Sequence, residues 1–257
     1  MPPAGGPRSQ TFPDHISTSC LDGDQQRIGS SLSQPNACPP HLDSAAPRAD
    51  NLPCVEAQAL SIDGAVLFTP ILRPDDRGVF LESFKVDVFV GALGRSFDLK
   101  QMNISVSRRG TVRGVHFADV PPGQAKYVQC FSGAITDIVV DIRVGSPTYG
   151  QWEAVELTSE NRRGLFVAEG LGHAFYAMSE SVTVGYLCSE PYAPTREHGI
   201  NPLDPDLALP LPHADPSLLS PKDAAAPLLT EAADMGLLPT FEACQAFTSS
   251  LAVATDH

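Results

Sequence analysis

Five residues with usable chemistry sit in stretches that otherwise read as the interior of a β-sheet. They are Arg113 and His116 in "GTVRGVHF", Lys126 in "QAKYVQCF", His173 in "GHAFYAM" and Tyr186 in "VTVGYLCS". A polar side chain pointing into such an interior needs a hydrogen-bonding partner or a ligand. An imidazole that titrates near neutrality suits a general base, and a phenol can donate a proton from another face of a pocket. Arg113 and Lys126 would hold anionic oxygens, the guanidinium as a bidentate fork and the ammonium as a point charge. Each also has a plainer reading. A lone strand histidine is more often a satisfied core residue, and Arg or Lys among abundant carboxylates usually makes surface ion pairs. Their company points instead to an acid/base cavity in a small barrel.

A metal is the other possible occupant of a histidine-bearing β-barrel. That chemistry wants two histidines one residue apart on a strand, so that both face inward, plus a carboxylate and a third histidine. His116 is followed by Phe117 and Ala118, and no His-x-His occurs in the chain. The expectation is therefore no metal and no cofactor.

The wider composition sets the electrostatic frame. The 257 residues are 42% hydrophobic and 18% charged, with 17 Lys plus Arg against 30 Asp plus Glu and a formal net charge of -13. This is enough chain for one good-sized domain with appendages. Its field repels polyanions, so nucleic acid and anionic membranes are not expected partners, and an anionic ligand must be captured by a few placed cations. No run approaches the roughly 20 apolar residues of a membrane span, and no basic-then-apolar leader opens the chain. A soluble cytoplasmic protein is expected. The six cysteines are scattered without a close pair, which predicts reduced, structurally minor thiols.

The elements that must position these residues are mostly strands. Residues 1–55 are rich in Pro, Ser, Gly and Ala without an apolar period, which predicts a disordered or loosely attached extension. From Gly64 to about Pro212, short apolar runs are separated by turn signals such as "GSPTYG" and "SENRRG" at roughly ten-residue spacing. That pattern predicts an all-β sandwich or barrel over residues 56–215. In "TDIVVDIR", Ile138, Val140 and Ile142 alternate with Asp137, Val139, Asp141 and Arg143, which predicts a strand with one buried face. "KVDVFVGALG" reads as a short helix stopped by Gly94. Over residues 216–257 a helical segment packed on the barrel is expected, with Pro227 in a first turn, Gly236 as a stop, and Phe241, Cys244, Phe247 and Leu251 at helical spacing.

At this level of detail the string resembles the dTDP-4-dehydrorhamnose 3,5-epimerase family of cupin-like jelly rolls. The resemblance runs from about Ala57 to Leu251. It is carried by "DDRGVFLES", "QMNISVSRRGTVRGVHF", "PPGQAKYVQC", "GSPTYGQW", "EGLGHAF", "YLCSEPYAPTREHGI", "LDPDLAL" and "LSPKD", in that order. It implies His116 as the base, Tyr186 as the proton donor and Asp223 as the aspartate that orients the imidazole. Substrate contacts are implied at Arg77, Glu82, Gln101, Asn103, Arg113, Lys126, His173, Glu197 and Lys222, with Tyr192 stacking on thymine. It further implies a homodimer in which the segment carrying Arg77 and Glu82 reaches into the partner's barrel.

The implied substrate is a dTDP-4-keto-6-deoxyhexose, whose C3 and C5 hydrogens are both α to the ketone. Base removal leaves an enolate whose oxygen needs electrostatic support, assigned to Lys126, and protonation from the opposite face by Tyr186 inverts the centre. Arginines and Lys222 would take the diphosphate. Ala174 stands where many members have glycine, and "NPLDPDLALPLP" lacks a tryptophan common near that end. These departures resemble members from antibiotic deoxysugar pathways, some of which invert only C3 or only C5. The alternatives are such a single-centre epimerase, a cupin-like 3,4-ketoisomerase, and a non-catalytic sugar-nucleotide binding module.

Overall fold

The structure, a computed structural model, describes residues 55–253. The extension expected over residues 1–55 lies outside them, apart from Val55, which opens the first strand. In chain order the elements begin with β1 (Val55–Ala59), β2 (Ala65–Pro70), β3 (Arg73–Asp75), β4 (Gly78–Phe80) and helix α1 (Val86–Leu93). Then come β5 (Gln101–Arg108), β6 (Val112–Ala118), β7 (Lys126–Ser132), β8 (Ala134–Val140) and β9 (Trp152–Thr158). Next are β10 (Gly164–Val167), β11 (Gly172–Ala177), β12 (Ser181–Cys188) and β13 (Glu197–Gly199). Three short helices, α2 (Pro221–Ala224), α3 (Leu229–Asp234) and α4 (Phe241–Ser250), complete the chain. Among the described residues no helix is long and apolar enough to cross a membrane.

The strands form two sheets, ordered β1-β2-β10-β7-β12-β5 and β13-β6-β11-β8-β9, with β3 and β4 as a separate hairpin. All the pairings are antiparallel. The sheets face each other as a cupin-like jelly roll. Phe68, Tyr127, Phe166 and Val182 of the first pack with Ile135, Val139, Leu157 and Phe175 of the second. Phe89 of α1 joins this core, stacked on Phe68 at 4.1 Å and edge-on to Tyr127 at 4.7 Å. The helix ends as expected, with Gly94 in the left-handed region (φ 65°) donating its N–H to the Val90 carbonyl.

The second sheet departs from the one-sided expectation. Ile138, Val140 and Ile142 are fully buried, but so are Asp137, Val139 and Asp141 on the other parity. Alternation predicts one buried face only when solvent covers the other. Here a second core forms on the outer face, where Val115, Phe117, Ile138, Val140 and Ala174 meet Leu207, Leu209, Leu229, Ala232 and Leu238. Two other readings need correcting at residue level. Helix α3 starts at Leu229, because Leu228 is the cap and its N–H donates to Glu231 Oε2 at 2.8 Å; Pro227 therefore lies before the cap, not in the first turn. In α4 only Cys244 of the four periodic residues is buried.

Buried charge in the second sheet is matched locally. Asp141 accepts from Arg143 Nε at 2.9 Å and Nη2 at 2.8 Å, and from the Ser146 and Thr148 hydroxyls at 2.6 Å each. The Arg143 guanidinium lies 4.9 Å from the Phe241 ring centroid, which ties α4 to the sheet. Burial would raise the Asp141 carboxyl, but these donors outweigh it and hold the group below its ordinary value of 3.8.

The feature that matters most for the site is a bulge in β6. His173 of β11 faces His116 and Phe175 faces Arg113, so three steps along β6 match two along β11. Without the extra residue, positions 113 and 116 would point to opposite faces. Gly114 makes the bulge possible. It sits at φ 125°, and a Cβ there would lie 2.5 Å from the His173 carbonyl oxygen and 2.6 Å from Ala174 Cα.

Two outcomes follow from this packing. Gly114→Ala is expected to lower unfolding stability by about 1–3 kcal/mol from backbone strain alone, read by denaturant titration; unchanged stability would contradict the close approach. Asp141→Asn is expected to cost about 3–5 kcal/mol at neutral pH by stranding the buried guanidinium. The Asp141 contribution is complete above the unfolded value of 3.8 and fades as pH falls through the lower folded value. The gap between wild type and Asp141→Asn should therefore narrow in a titration below pH 3.8.

Candidate active site

Between the sheets, beside the apolar core, lies a cavity of about 280 Å³ with polar walls. The ladder explains its chemistry. Cys188 of β12 stands opposite Lys126 of β7 on one side and Gln101 of β5 on the other, and Tyr186 stands opposite Asn103. Directly paired residues share a face, so Gln101, Asn103, Lys126 and Tyr186 all line the inner wall. On β5 the intervening Met102, Ile104 and Val106 face outward, 51–66% exposed. This strand thus runs polar inside and apolar outside.

The opposite wall is supplied by β6, whose bulge aims both Arg113 and His116 at the cavity, and by Glu197 of β13. The floor of that wall closes with α2. Ser220 is its N-cap, accepting the Asp223 N–H at 3.0 Å, and Pro221 occupies the first helical position. The cap fixes Asp223, which meets His116 Nε2 at 2.7 Å. An ionised carboxylate can only accept, so Nε2 carries the proton of the neutral imidazole and the lone pair resides on Nδ1. Among the described residues Nδ1 has no hydrogen-bond partner. Burial works against the Asp223 charge, but the bond and charge of His116, the Ser220 contact and Lys222 keep the carboxyl below its ordinary value.

The other titratable groups are shifted by the same burial. Tyr186 is raised, chiefly by desolvation and opposed by the Arg113 charge, so it stays a neutral donor. Lys126, 9% exposed, is lowered by desolvation, with Cys188, Glu197 and Glu169 acting the other way. Arg113 Nε donates to Ser107 Oγ at 3.0 Å, which holds the guanidinium at the rim. The exposed Tyr192 ring lies at the mouth. Its loop is held where Tyr192 N donates to Gln101 Oε1 at 2.9 Å and Gln101 in turn donates to Asn103 at 2.8 Å.

Ten of the thirteen residues expected at the site line this cavity: Gln101, Asn103, Arg113, His116, Lys126, Tyr186, Tyr192, Glu197, Lys222 and Asp223. Three do not. Arg77 is at the turn of the β3-β4 hairpin, paired with Asp75, and Glu82 lies in the extended segment after it. His173 faces inward next to His116 but is buried, with Nε2 on Asp137 Oδ1 at 2.8 Å. Two further lining residues were missed by the sequence reading, Gln124 and Ser220. Gln124 Nε2 donates to the Glu190 carbonyl at 2.9 Å and carries no local signal. Ser220 was legible, because "SPKD" is a Ser cap with Pro at N1 and an acid at N3.

A larger cavity of about 780 Å³ opens among the β1-β2 turn, α1 and α4, but its lining holds neither a histidine nor a tyrosine. Among the described residues no group of three His, Cys, Asp or Glu is arranged to hold a metal ion. What the smaller cavity brings together is an imidazole with one ring nitrogen unbonded among the described residues, a neutral phenol and a buried lysine.

Known proteins share this arrangement of chain. Residues 59–231 match the family described as dTDP-4-dehydrorhamnose 3,5-epimerase. A dTDP-4-dehydrorhamnose 3-epimerase of Streptomyces niveus is 56% identical over 189 residues, covering 74% of this chain and 91% of that protein. A dTDP-4-dehydrorhamnose 3,5-epimerase of Mycolicibacterium smegmatis is 54% identical over 195 residues, covering 76% and 96%. Among solved structures, the 3'-monoepimerase ChmJ of Streptomyces bikiniensis in complex with dTDP-quinovose superposes with a TM-score of 0.73 at 45% identity, covering 76% of this chain and 98% of that one. By the extent and identity of these matches, the chain belongs to the dTDP-4-dehydrorhamnose 3,5-epimerase family.

Proposed function

We propose that this enzyme epimerises a dTDP-4-keto-6-deoxyhexose at carbons α to the ketone, with His116 as base and Tyr186 as acid. The observation that carries the reading is the His116–Asp223 pair in one cavity with Tyr186 and Lys126. Nδ1 of His116 takes the C3 proton; the C–H electrons become a C3–C4 double bond and the C4=O π electrons move onto O4, giving the enolate. The Lys126 ammonium supports that oxygen; a single preorganised donor of this kind is worth about 10²–10³ in rate. Tyr186 returns a proton from the other face, and solvent restores the protonation of both residues. The same cycle at C5 completes a 3,5-epimerisation. Base, acid and enolate support are thus all side chains, and the reaction is read as metal-independent.

A single-centre reaction is the second reading, favoured by the Streptomyces niveus relative, a 3-epimerase at 56% identity. Both readings use the same residues. The diphosphate is assigned to Arg113 and Lys222, and the thymine to Tyr192, whose ring is 57% exposed at the mouth. Cationic capture at one rim is how a chain of net charge -13 holds a dianion.

A homodimer is part of the proposal. Arg77 and Glu82 lie outside their own chain's cavity, and the hairpin bearing Arg77 carries Val79 and Phe80, exposed at 45% and 64%. The outward stripe of Met102, Ile104 and Val106 adds apolar surface of the kind a second copy covers. In this arrangement each hairpin delivers Arg77 and Glu82 to the partner's cavity.

Incubation with dTDP-4-keto-6-deoxyglucose in deuterated water is expected to introduce two solvent deuterons for a 3,5-epimerase and one for a single-centre enzyme, counted by mass spectrometry. None would sink the proposal. His116→Ala is expected to slow exchange by about 10²–10⁴-fold. Tyr186→Phe should still exchange, through return of a deuteron to the same face, but without inversion by NMR. For the dimer, Arg77→Ala and His116→Ala chains are mixed after separate purification and exchange of subunits. Half of the random dimers hold one intact site of two, so activity should recover to about a quarter of wild type; no recovery would place Arg77 on its own chain's cavity.

A further inference from the structure

Tyr192 and Glu197 both reach the cavity from one segment, residues 190–198, which follows β12 and runs into β13. Pro191, Tyr192, Pro194 and Thr195 are exposed, so packing does little to fix it. The segment is instead pinned at its two ends. At the start, Gln124 Nε2 donates to the Glu190 carbonyl at 2.9 Å, and the Glu190 carboxylate pairs with Lys100. At the far end Asp119, just past β6, grips it twice. Its N–H donates to the Arg196 carbonyl at 3.0 Å, and its carboxylate accepts from His198 Nε2 at 2.7 Å.

In β13, His198 stands opposite Phe117, while Glu197 stands opposite Ala118 and Gly199 opposite His116. Alternation therefore sends Glu197 into the cavity and the His198 imidazole to the outer face of the second sheet. There the ring tilts over Phe117 with 5.4 Å between centroids, and Phe117 is itself part of the outer core. Neither His198 nor Asp119 lines the cavity, and the reaction as written uses neither. An exposed ion pair would contribute little. The His198 side chain, however, is only 23% exposed, and the strand it clamps is an edge strand of three residues. On the inner side Glu197 Oε1 accepts the Ala193 N–H at 3.3 Å, which ties Glu197 to the loop that carries Tyr192.

The geometry points to His198 as a positioning residue for nucleotide binding: clamped to Asp119 on the outside of the barrel, it holds β13 in register so that Glu197 and the Tyr192 ring meet the ligand. This rests on the thymine contact proposed above for Tyr192. The test uses full-length protein, with dTDP as the probe in calorimetry and dTDP-4-keto-6-deoxyglucose in steady-state deuterium exchange. His198→Ala should raise the dTDP Kd and the KM together by about three- to tenfold, as for one lost hydrogen bond. Its kcat should be unchanged, the signature of binding lost equally from ground and transition states. His198→Gln keeps an N–H donor and should recover most of the affinity. Asp119→Ala should match His198→Ala, and the double variant should be no worse than either. Added to Tyr192→Ala, His198→Ala should weaken dTDP less than it does alone. An unchanged Kd and KM in His198→Ala, a fall confined to kcat, or fully additive losses with Asp119→Ala overturns the positioning role. Thermal melts report folding, and if His198→Ala does not fold, Asp119→Ala, at a side chain 47% exposed, reads the same split between KM and kcat. Tyr192→Ala binding dTDP as tightly as wild type would bring down the thymine contact itself, an outcome distinct from a silent His198.

Discussion

The 2.7 Å hydrogen bond between His116 and Asp223 joins positions 107 residues apart, and each end is set by a separate local device. At one end the Gly114 bulge shifts the parity of β6, so that His116 and Arg113 look into the same space. At the other end Ser220 and Pro221 start a four-residue helix whose third position is the aspartate. The two ends meet because the C-terminal segment docks on the outer face of the second sheet through Leu229, Ala232 and Leu238. Apolar burial, a glycine conformation and a helix cap are each ordinary. Their joint effect is an imidazole whose proton-bearing nitrogen is specified.

Electrostatics inside this fold are arranged by local pairing. Arg95 with Glu169, Arg143 with Asp141 and His173 with Asp137 are all buried and matched. One oxygen of Asp137 is buried without a partner among the described residues. Charges removed from water need compensation nearby, and among the described residues the cavity's own cations, Arg113, Lys126 and Lys222, have no carboxylate within ion-pair distance. A strongly acidic chain thereby presents a small cationic rim.

The sequence made the strands and most of the lining legible for physical reasons. Turn residues mark strand ends, and Arg113, His116, Lys126 and Tyr186 stand out because polar groups in apolar runs require an explanation, whereas Gln101 and Asn103 are implied by the family resemblance alone. What it concealed depends on partners far along the chain. Asp137 and Asp141 read as the wet face of β8, but Asp137 shares its parity with Val139 of the core between the sheets, and it is the Ile138–Val140 face that the C-terminal segment covers. Company alone groups Arg113 and His116 in one cavity, without a mechanism for residues three apart on a strand to share a face, and only the pairing with β11 reveals the extra residue that allows it. Gln124 looks like any loop amide until its contact with Glu190 is seen. The Ser220 cap was readable and shows that short helices deserve the same scrutiny as long ones.

The reversed polarity of β5 has a consequence for how such an enzyme can diverge. Gln101 and Asn103 address the cavity, while Met102, Ile104 and Val106 address the exterior, within one stretch of eight residues. Alternate positions therefore answer to different physical demands, one set to polar groups in the cavity and the other to the exterior. A substitution at Gln101 or Asn103 changes the cavity wall and leaves the outer surface as it was, and one at Met102, Ile104 or Val106 does the reverse, so a single strand carries two surfaces that can be altered independently.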